Sequence, residues 1–308
     1  MPSSNTPIIA VVGPTASGKS DLAVGIAREF RGEIISADSR QVYRGLDIGS
    51  GKITADEMQG ISHHLIDVAD PRDTYTVSEY VRDAQAALAM IQESGKAPII
   101  CGGTGFYIEA LTDDASIPDV PPNEALRSEL RSKAAPELFA LLAAKDPSRA
   151  ASIDRNNPHR LIRALEIVAA HGYVPPRTAR PRTDIIWIGI DTPRAKLRDQ
   201  IRQRLMKRVD QGLIEEVASL HSHGVSWQRL ESLGLEYKYV ALYLQTKLPK
   251  DLMIETLYRE ICAYAKRQMT WFRRNKQIRW FDSPQKQDLI FAYIGEAKKK
   301  TAETRSAA

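Results

Sequence analysis

The chain lacks most features that would take it out of the ordinary globular classes. It has two cysteines, Cys101 and Cys262, too few for a disulfide framework and at no metal-binding spacing, so both are expected to be reduced and structural. Its longest apolar runs, such as Ile8 to Val12 and Ile185 to Ile188, fall far short of the roughly 20 residues a bilayer span requires. The first residues carry neither the charged head nor the apolar block of a secretory signal, so a cytoplasmic protein with no membrane partner is expected. Internal repeats and low-complexity tracts are missing. What remains is a mix of 43% hydrophobic and 26% charged residues over 308 positions. That is enough to build a core, and the length suggests two domains or one large domain with an insertion.

The net charge of +5 is unevenly spread. Residues 1–112 carry nine Lys and Arg against fourteen Asp and Glu, a net of −5; residues 113–183 are at +2 and residues 184–308 at +8. A basic back half suits a polyanion partner, nucleic acid or an acidic membrane surface, although a solvated basic surface reads the same way.

The front of the chain alternates short β-branched runs with helical periodicity. Residues 7–12, 33–36 and 97–101 read as buried strands, and residues 20–30 and 75–93 as helices; Gly95 stands at the expected helix stop. This order predicts an α/β unit with a parallel sheet. Proline-rich linkers are expected at 112–123 and 174–182. Between them lie three predicted helices, at 124–133, 136–145 and 158–171. Residues 185–190 return to strand character, 193–280 are helical and charged, and the polar tail from Lys298 is expected to fray. The expected organisation is an α/β core, 1–112 with 184–308, interrupted by an all-helical insertion at 113–183.

Gly13, Pro14, Thr15, Ala16, Ser17, Gly18, Lys19 and Ser20 fit G-x-x-x-x-G-K-[ST] at every fixed position, with a strand before and a helix after. The glycines let successive N–H groups turn inward around an anion, and the helix start adds its dipole. Lys19 supplies a mobile positive charge and Ser20 a hydroxyl for Mg²⁺. The pattern identifies a P-loop of the NTPase-like, nucleotide-binding type, but not which phosphate compound it holds.

Asp38, Ser39, Arg40 and Gln41 follow the second strand. In an open parallel sheet the carboxyl ends of the strands form the ligand crevice. A carboxylate there can take a proton or hold Mg²⁺; in isolation it would read as a turn residue. Gly102, Gly103 and Thr104 end the third strand and would alone be a plain strand-to-helix turn. No apolar strand ending in Asp follows at the place a hydrolytic P-loop enzyme usually has one; Asp191 after residues 185–190 is the nearest. This weakens an ATPase or GTPase reading and leaves room for a P-loop that holds some other phosphate.

Near the end, Lys266, Arg267, Arg273 and Arg274 surround Trp271 and Phe272. On a helix Lys266, Thr270 and Arg273 share one side and Arg267 and Arg274 another. Bases beside aromatics suit RNA, whose phosphates are gripped and whose unstacked bases lie on aromatic faces. Trp271 reads equally well as a core residue.

The segments GPTASGKS (13–20), ISADSRQVYRGLDIGSGK (35–52), HHLID (63–67), GGTGFY (102–107), HRLIRALEI (159–167), GLIEEV (212–217) and AKRQMTWFR (265–273) together resemble the tRNA dimethylallyltransferases of bacterial type, also called tRNA isopentenyltransferases. The resemblance covers about residues 7 to 281. It implies transfer of the dimethylallyl group of dimethylallyl diphosphate to N6 of adenosine 37, beside the anticodon of a tRNA, with Mg²⁺ assisting and diphosphate leaving. Asp38 then resembles the general base. Lys19 and the loop amides resemble the cradle of the diphosphate, with Arg204 as a further contact, and Thr104 resembles the threonine that touches the target nucleotide. Ser39, Arg40, Gln41, Arg127, His159, Arg160, Arg163, Lys266, Arg267, Gln268, Trp271 and Arg273 match tRNA-contacting segments. A monomer acting on the anticodon stem-loop is the implied working unit, and no zinc-finger extension is visible.

The chain departs from the family pattern at several points. DIGSGKIT stands where DIGTAKP is usual. Glu236 and Tyr239 stand where the G-Y-[KR]-E segment has its glycine and its acid. Asn157 replaces an aspartate and Arg208 a methionine.

Overall fold

The structure is a computed structural model that describes residues 6–113, 118, 120–176, 182 and 184–306. The chain divides into two compact units, Met1–Asp113 with Pro181–Ala308, and Asp114–Arg180. The linkers expected at 112–123 and 174–182 lie partly outside the described residues.

In the first unit, β1 (Ile8–Val12), β2 (Gly32–Ser36), β3 (His63–His64), β4 (Ala97–Gly102), β5 (Ile185–Ile190) and β6 (Arg279–Phe281) form one sheet of order β3-β2-β4-β1-β5-β6. Every neighbouring pair is parallel. All five residues of β1 are buried, as a central strand covered on both faces requires. One face carries α3 (Val77–Glu93) and α4 (Gly105–Thr112), whose Tyr80, Leu88, Ile91 and Ile108 are buried in one cluster with Ile8, Ile35 and Ile100. The other carries α1 (Lys19–Glu29) and α14 (Gln287–Ser306), with Leu22, Ile26, Ile290 and Ile294 on Ile9, Val11 and Ile188. Each such fully buried aliphatic side chain is worth roughly 1.5–3 kcal/mol relative to exposure. The expectation that the tail frays from Lys298 is corrected: α14 runs through Ser306, anchored by Ile290 and Ile294.

Short α2 (Ala55–Met58) follows β2. A helical layer of α9 (Arg194–Asp210), α10 (Leu213–Ser222), α11 (Trp227–Ser232), α12 (Leu235–Leu244) and α13 (Lys250–Phe272) has its own core around Tyr237, Met253 and Leu257. Val42, Tyr43 and Leu46, from the segment after β2, join this core. That packing holds the loop beyond Asp38 against the helices.

The second unit holds α5 (Glu124–Arg131), α6 (Ala135–Lys145), α7 (Pro147–Ala150) and α8 (Pro158–His171), packed around Leu138, Leu142 and Leu161. The bounds of α8 follow from local chemistry. Asn157 caps it by accepting from the Arg160 N–H at 3.2 Å, Pro158 opens it, and Gly172 closes it at φ +83°. Asn at position 157 therefore does the capping an aspartate would do.

Candidate active site

Because the sheet is parallel, the ends of β1, β2 and β4 open on one edge. The P-loop, Asp38 and Thr104 therefore meet there, as the sequence predicted. Lys19, Ser20, Asp38, Ser39, Arg40 and Gln41 line one cavity of about 170 Å³ together with Arg204, Arg208, Glu236, Tyr264 and Gln268.

The P-loop turns through left-handed residues at Ala16 (φ +62°) and Gly18 (φ +79°). Position 18 needs a glycine twice over, since a Cβ there would also lie 2.9 Å from Pro284. Lys19 folds back so that Nζ donates to the Pro14 carbonyl at 3.2 Å, and burial holds its ammonium below the ordinary lysine range. The Thr15 N–H is not free for an anion: it donates to Gln268 Oε1 at 2.9 Å. Gln268 Nε2 in turn donates to the Gly103 carbonyl at 2.9 Å. Gln268, grouped with RNA contacts on sequence, is thus buried, and its amide ties α13 to the P-loop and to the end of β4.

Asp38 closes its own turn. Oδ1 accepts from the Arg40 N–H at 2.8 Å and from the Gln41 N–H at 3.4 Å, and no other hydrogen bond engages Oδ2 among the described residues. The turn reading of Asp38 holds for Oδ1, while the side chain also lines the cavity. Thr104 sits beside it, with Oγ1 accepting from the Ser39 N–H at 3.1 Å and its own N–H donating to the Ala37 carbonyl at 3.1 Å. Cys101 lies at the floor, where burial pushes its thiol up to about 11.

The wall opposite the P-loop comes from α9, α12 and the loop after Leu46. Glu216, on α10, accepts from the N–H groups of Asp47, Ile48 and Gly49 at 3.0, 2.6 and 3.0 Å and from the Tyr237 hydroxyl at 2.9 Å. Tyr237 Oη accepts from the Ser50 N–H at 3.1 Å. Four successive amides of the loop are therefore held from outside. Two of its carbonyls bind guanidinium groups: Gly51 receives Arg204 at 3.3 Å and Gly49 receives Arg208 at 3.1 Å. Arg204 has no carboxylate within ion-pair distance among the described residues. Burial, with the Arg208 charge nearby, pulls it down to about 10. A desolvated guanidinium without a counter-ion is a site waiting for an anion.

The remaining sequence-predicted residues separate by environment. Lys266 and Arg267 are exposed on α13. Arg273 ends that helix and pairs with Asp191 at 3.0 Å. Trp271 is half-buried, stacked under the Arg274 guanidinium with Phe106 against it edge-on. In the helical unit, His159 and Arg160 are exposed on the first turn of α8. Arg127 is tied into the unit's own packing. Its guanidinium is held by the fully buried Glu166 carboxylate at 2.8 Å, with Arg163 on the same carboxylate at 3.5 Å, so it braces α5 against α8. Burial alone would raise Glu166, but Arg127 and the Asn123 N–H keep it below the ordinary carboxylate range. The roles of Glu216, Tyr237 and Gln268 were not legible, because their partners lie far away in sequence; only the matched segments GLIEEV and AKRQ pointed to Glu216 and Gln268, and the altered G-Y-[KR]-E segment to Tyr237.

The IPP transferase family matches this chain over residues 41–275. A tRNA dimethylallyltransferase of Shouchella clausii is 41% identical, with 94% of this chain and 96% of that protein covered. A tRNA dimethylallyltransferase 2 of Treponema denticola is 45% identical over 86% and 91% of the two chains. Among solved structures, the full-length tRNA isopentenylpyrophosphate transferase of Bacillus halodurans superposes with a TM-score of 0.75 at 36% identity, covering 97% of this chain and 99% of that one.

Proposed function

The chain belongs to the IPP transferase family, and from that premise we propose that it moves the dimethylallyl group of dimethylallyl diphosphate onto N6 of adenosine 37 in tRNA. The observation that carries this reading is the convergence of the P-loop, Asp38 and the unpaired Arg204 on one cavity, with Thr104 bonded to Ser39 of its lining. A phosphate cradle beside a carboxylate in one cavity suits displacement of a diphosphate by a nucleophile whose proton the carboxylate takes.

The N6 lone pair forms the new C–N bond to the allylic carbon as the C–O bond to diphosphate breaks. The electron pair leaves with the diphosphate, and the N6 proton passes to Asp38. A carboxylate is a weak base for an amine, and it works because that proton becomes acidic as the bond forms. Charge growing on the diphosphate is met by the amides from Ala16 onward, by Lys19 and by Arg204. Thr104, fixed by Ser39 and Ala37, positions the nucleotide. An adenosine in a loop can be drawn into such a cavity cheaply because it need not leave a base pair.

Mg²⁺ fits this donor set in one way. Ser20 offers a single exposed hydroxyl at the start of α1, and Mg²⁺ prefers substrate phosphates, waters and one or two protein oxygens. It would neutralise phosphate charge there. RNA is gripped by Lys266, Arg267 and Arg273 in the core unit and by His159 and Arg160 in the helical unit. The proposed working unit is a monomer, as the family resemblance implies. No helix among the described residues is long and apolar enough to cross a membrane. The two free cysteines suit a cytoplasmic setting.

The test is incubation with dimethylallyl diphosphate, Mg²⁺ and unmodified tRNA carrying adenosine 37, followed by mass spectrometry of the nucleosides. Folded protein that leaves the adenosine unprenylated would sink the proposal.

A further inference from the structure

Three of the chain's departures from its family pattern, Gly51, Arg208 and Glu236, are far apart in sequence and meet at one point in space. Arg208 is buried on α9, one helical turn after Arg204. Its Nη1 donates both to the Gly49 carbonyl at 3.1 Å and to Glu236 Oε1 at 3.0 Å. Gly51 is left-handed at φ +61°, and a Cβ there would collide with the terminal nitrogens of both Arg204 and Arg208. The alanine usual at this position has no room while both guanidinium groups are in place. A methionine at 208 would give Glu236 no partner, and a glycine at 236 would leave Arg208 unpaired.

Resting on the diphosphate reading above, we propose that Gly51, Arg208 and Glu236 form one coupled unit that keeps Arg204 available to the donor's diphosphate, with Arg208 as its positioning residue. Glu236 lines the same cavity and lies within electrostatic reach of Arg204. Without Arg208, that carboxylate would be left facing Arg204 with no ion-pair partner of its own, so an internal anion would compete with the substrate. Arg208 prevents this by holding Glu236 itself, and its like charge keeps Arg204 directed towards the Gly51 carbonyl and the cavity. Gly51 provides the space in which two guanidinium groups stand side by side.

The unit is tested by measuring the binding of inorganic diphosphate by calorimetry. Arg208→Met should weaken it by about tenfold, the scale of one coupled charge contact. Adding Glu236→Gly should restore it to within about threefold of wild type, because Arg204 is released. A purely structural role predicts the opposite, since the second change removes another packed side chain. Gly51→Ala should lose affinity, because its Cβ would meet the terminal nitrogens of both Arg204 and Arg208. Arg208→Lys, which keeps a cation on Glu236, should stay close to wild type and covers the case in which Arg208→Met does not fold. Undiminished affinity in Arg208→Met, or no recovery in the double variant, overturns the coupling. Wild-type protein that binds diphosphate but prenylates no RNA overturns the proposed function and leaves the coupling standing; wild-type protein that binds no diphosphate overturns both.

Discussion

Asp38 shows how one side chain can serve structure and chemistry together. Its Oδ1 caps the turn that carries Arg40 and Gln41, so removing the whole side chain would disturb geometry as well as proton transfer. Asp38→Asn is the sharper change, because an amide oxygen can still accept both N–H groups but cannot take the N6 proton. Turnover should fall by about 10²–10⁴-fold while tRNA affinity holds. Single-turnover kinetics beside a filter-binding titration would check this, and a parallel loss of RNA binding would assign Asp38 to positioning alone. Cys101 makes a second prediction at this scale. With its thiol raised to about 11, its thiolate fraction at pH 8 is about a hundredfold below that of an ordinary thiol. Iodoacetamide at pH 8 should leave Cys101 intact in the folded protein, as peptide mapping would show; rapid labelling would mean the pocket floor opens.

At the scale of elements, the helices and central strands were legible because their signals are local. Asn157, Pro158 and Gly172 mark both ends of α8, and an unbroken apolar run marks β1. The edge strands β3 and β6 were missed because two or three residues carry no periodicity. α14 was missed because its lysines mask two isoleucines buried against the sheet. The joints between elements were equally hidden. Gln268 reads as one polar residue in a basic helix, yet it fixes Thr15 and Gly103. Gln268→Leu would leave a buried N–H and a buried carbonyl unpaired, at a cost of about 1–3 kcal/mol. Urea unfolding should show that loss, with weaker diphosphate binding alongside it. Unchanged stability would mean that water replaces the amide.

For the whole molecule, the charge split has a definite structural meaning. The acidic front contains the anion cradle, because backbone amides and a helix start bind phosphate without net positive charge in the sequence around them. The basic back places Lys266 and Arg267 on the exposed side of α13. Arg273 is paired with Asp191 across the end of the sheet. Exposed pairs of this kind are worth about 0–1 kcal/mol, so a tRNA phosphate can take the place of Asp191. Arg273→Ala should weaken tRNA binding and reduce the log–log salt slope by about one unit. An unchanged slope would mean that Arg273 stays with Asp191 in the complex. The location of the site was legible from three strand ends in one parallel sheet. The α9–α12 wall was not, since its contacts to the loop after Leu46 follow no local rule.

The strand order sets a timetable for synthesis. The P-loop is made before the strands that flank it: β1 has no sheet neighbour until Ala97–Gly102 has been made and is not enclosed until Ile185–Ile190 follows. Gly18 meets Pro284 only when α14 is about to emerge. The phosphate cradle is therefore translated long before it is completed, and a nascent chain stalled before Pro284 carries the whole motif with that support still missing.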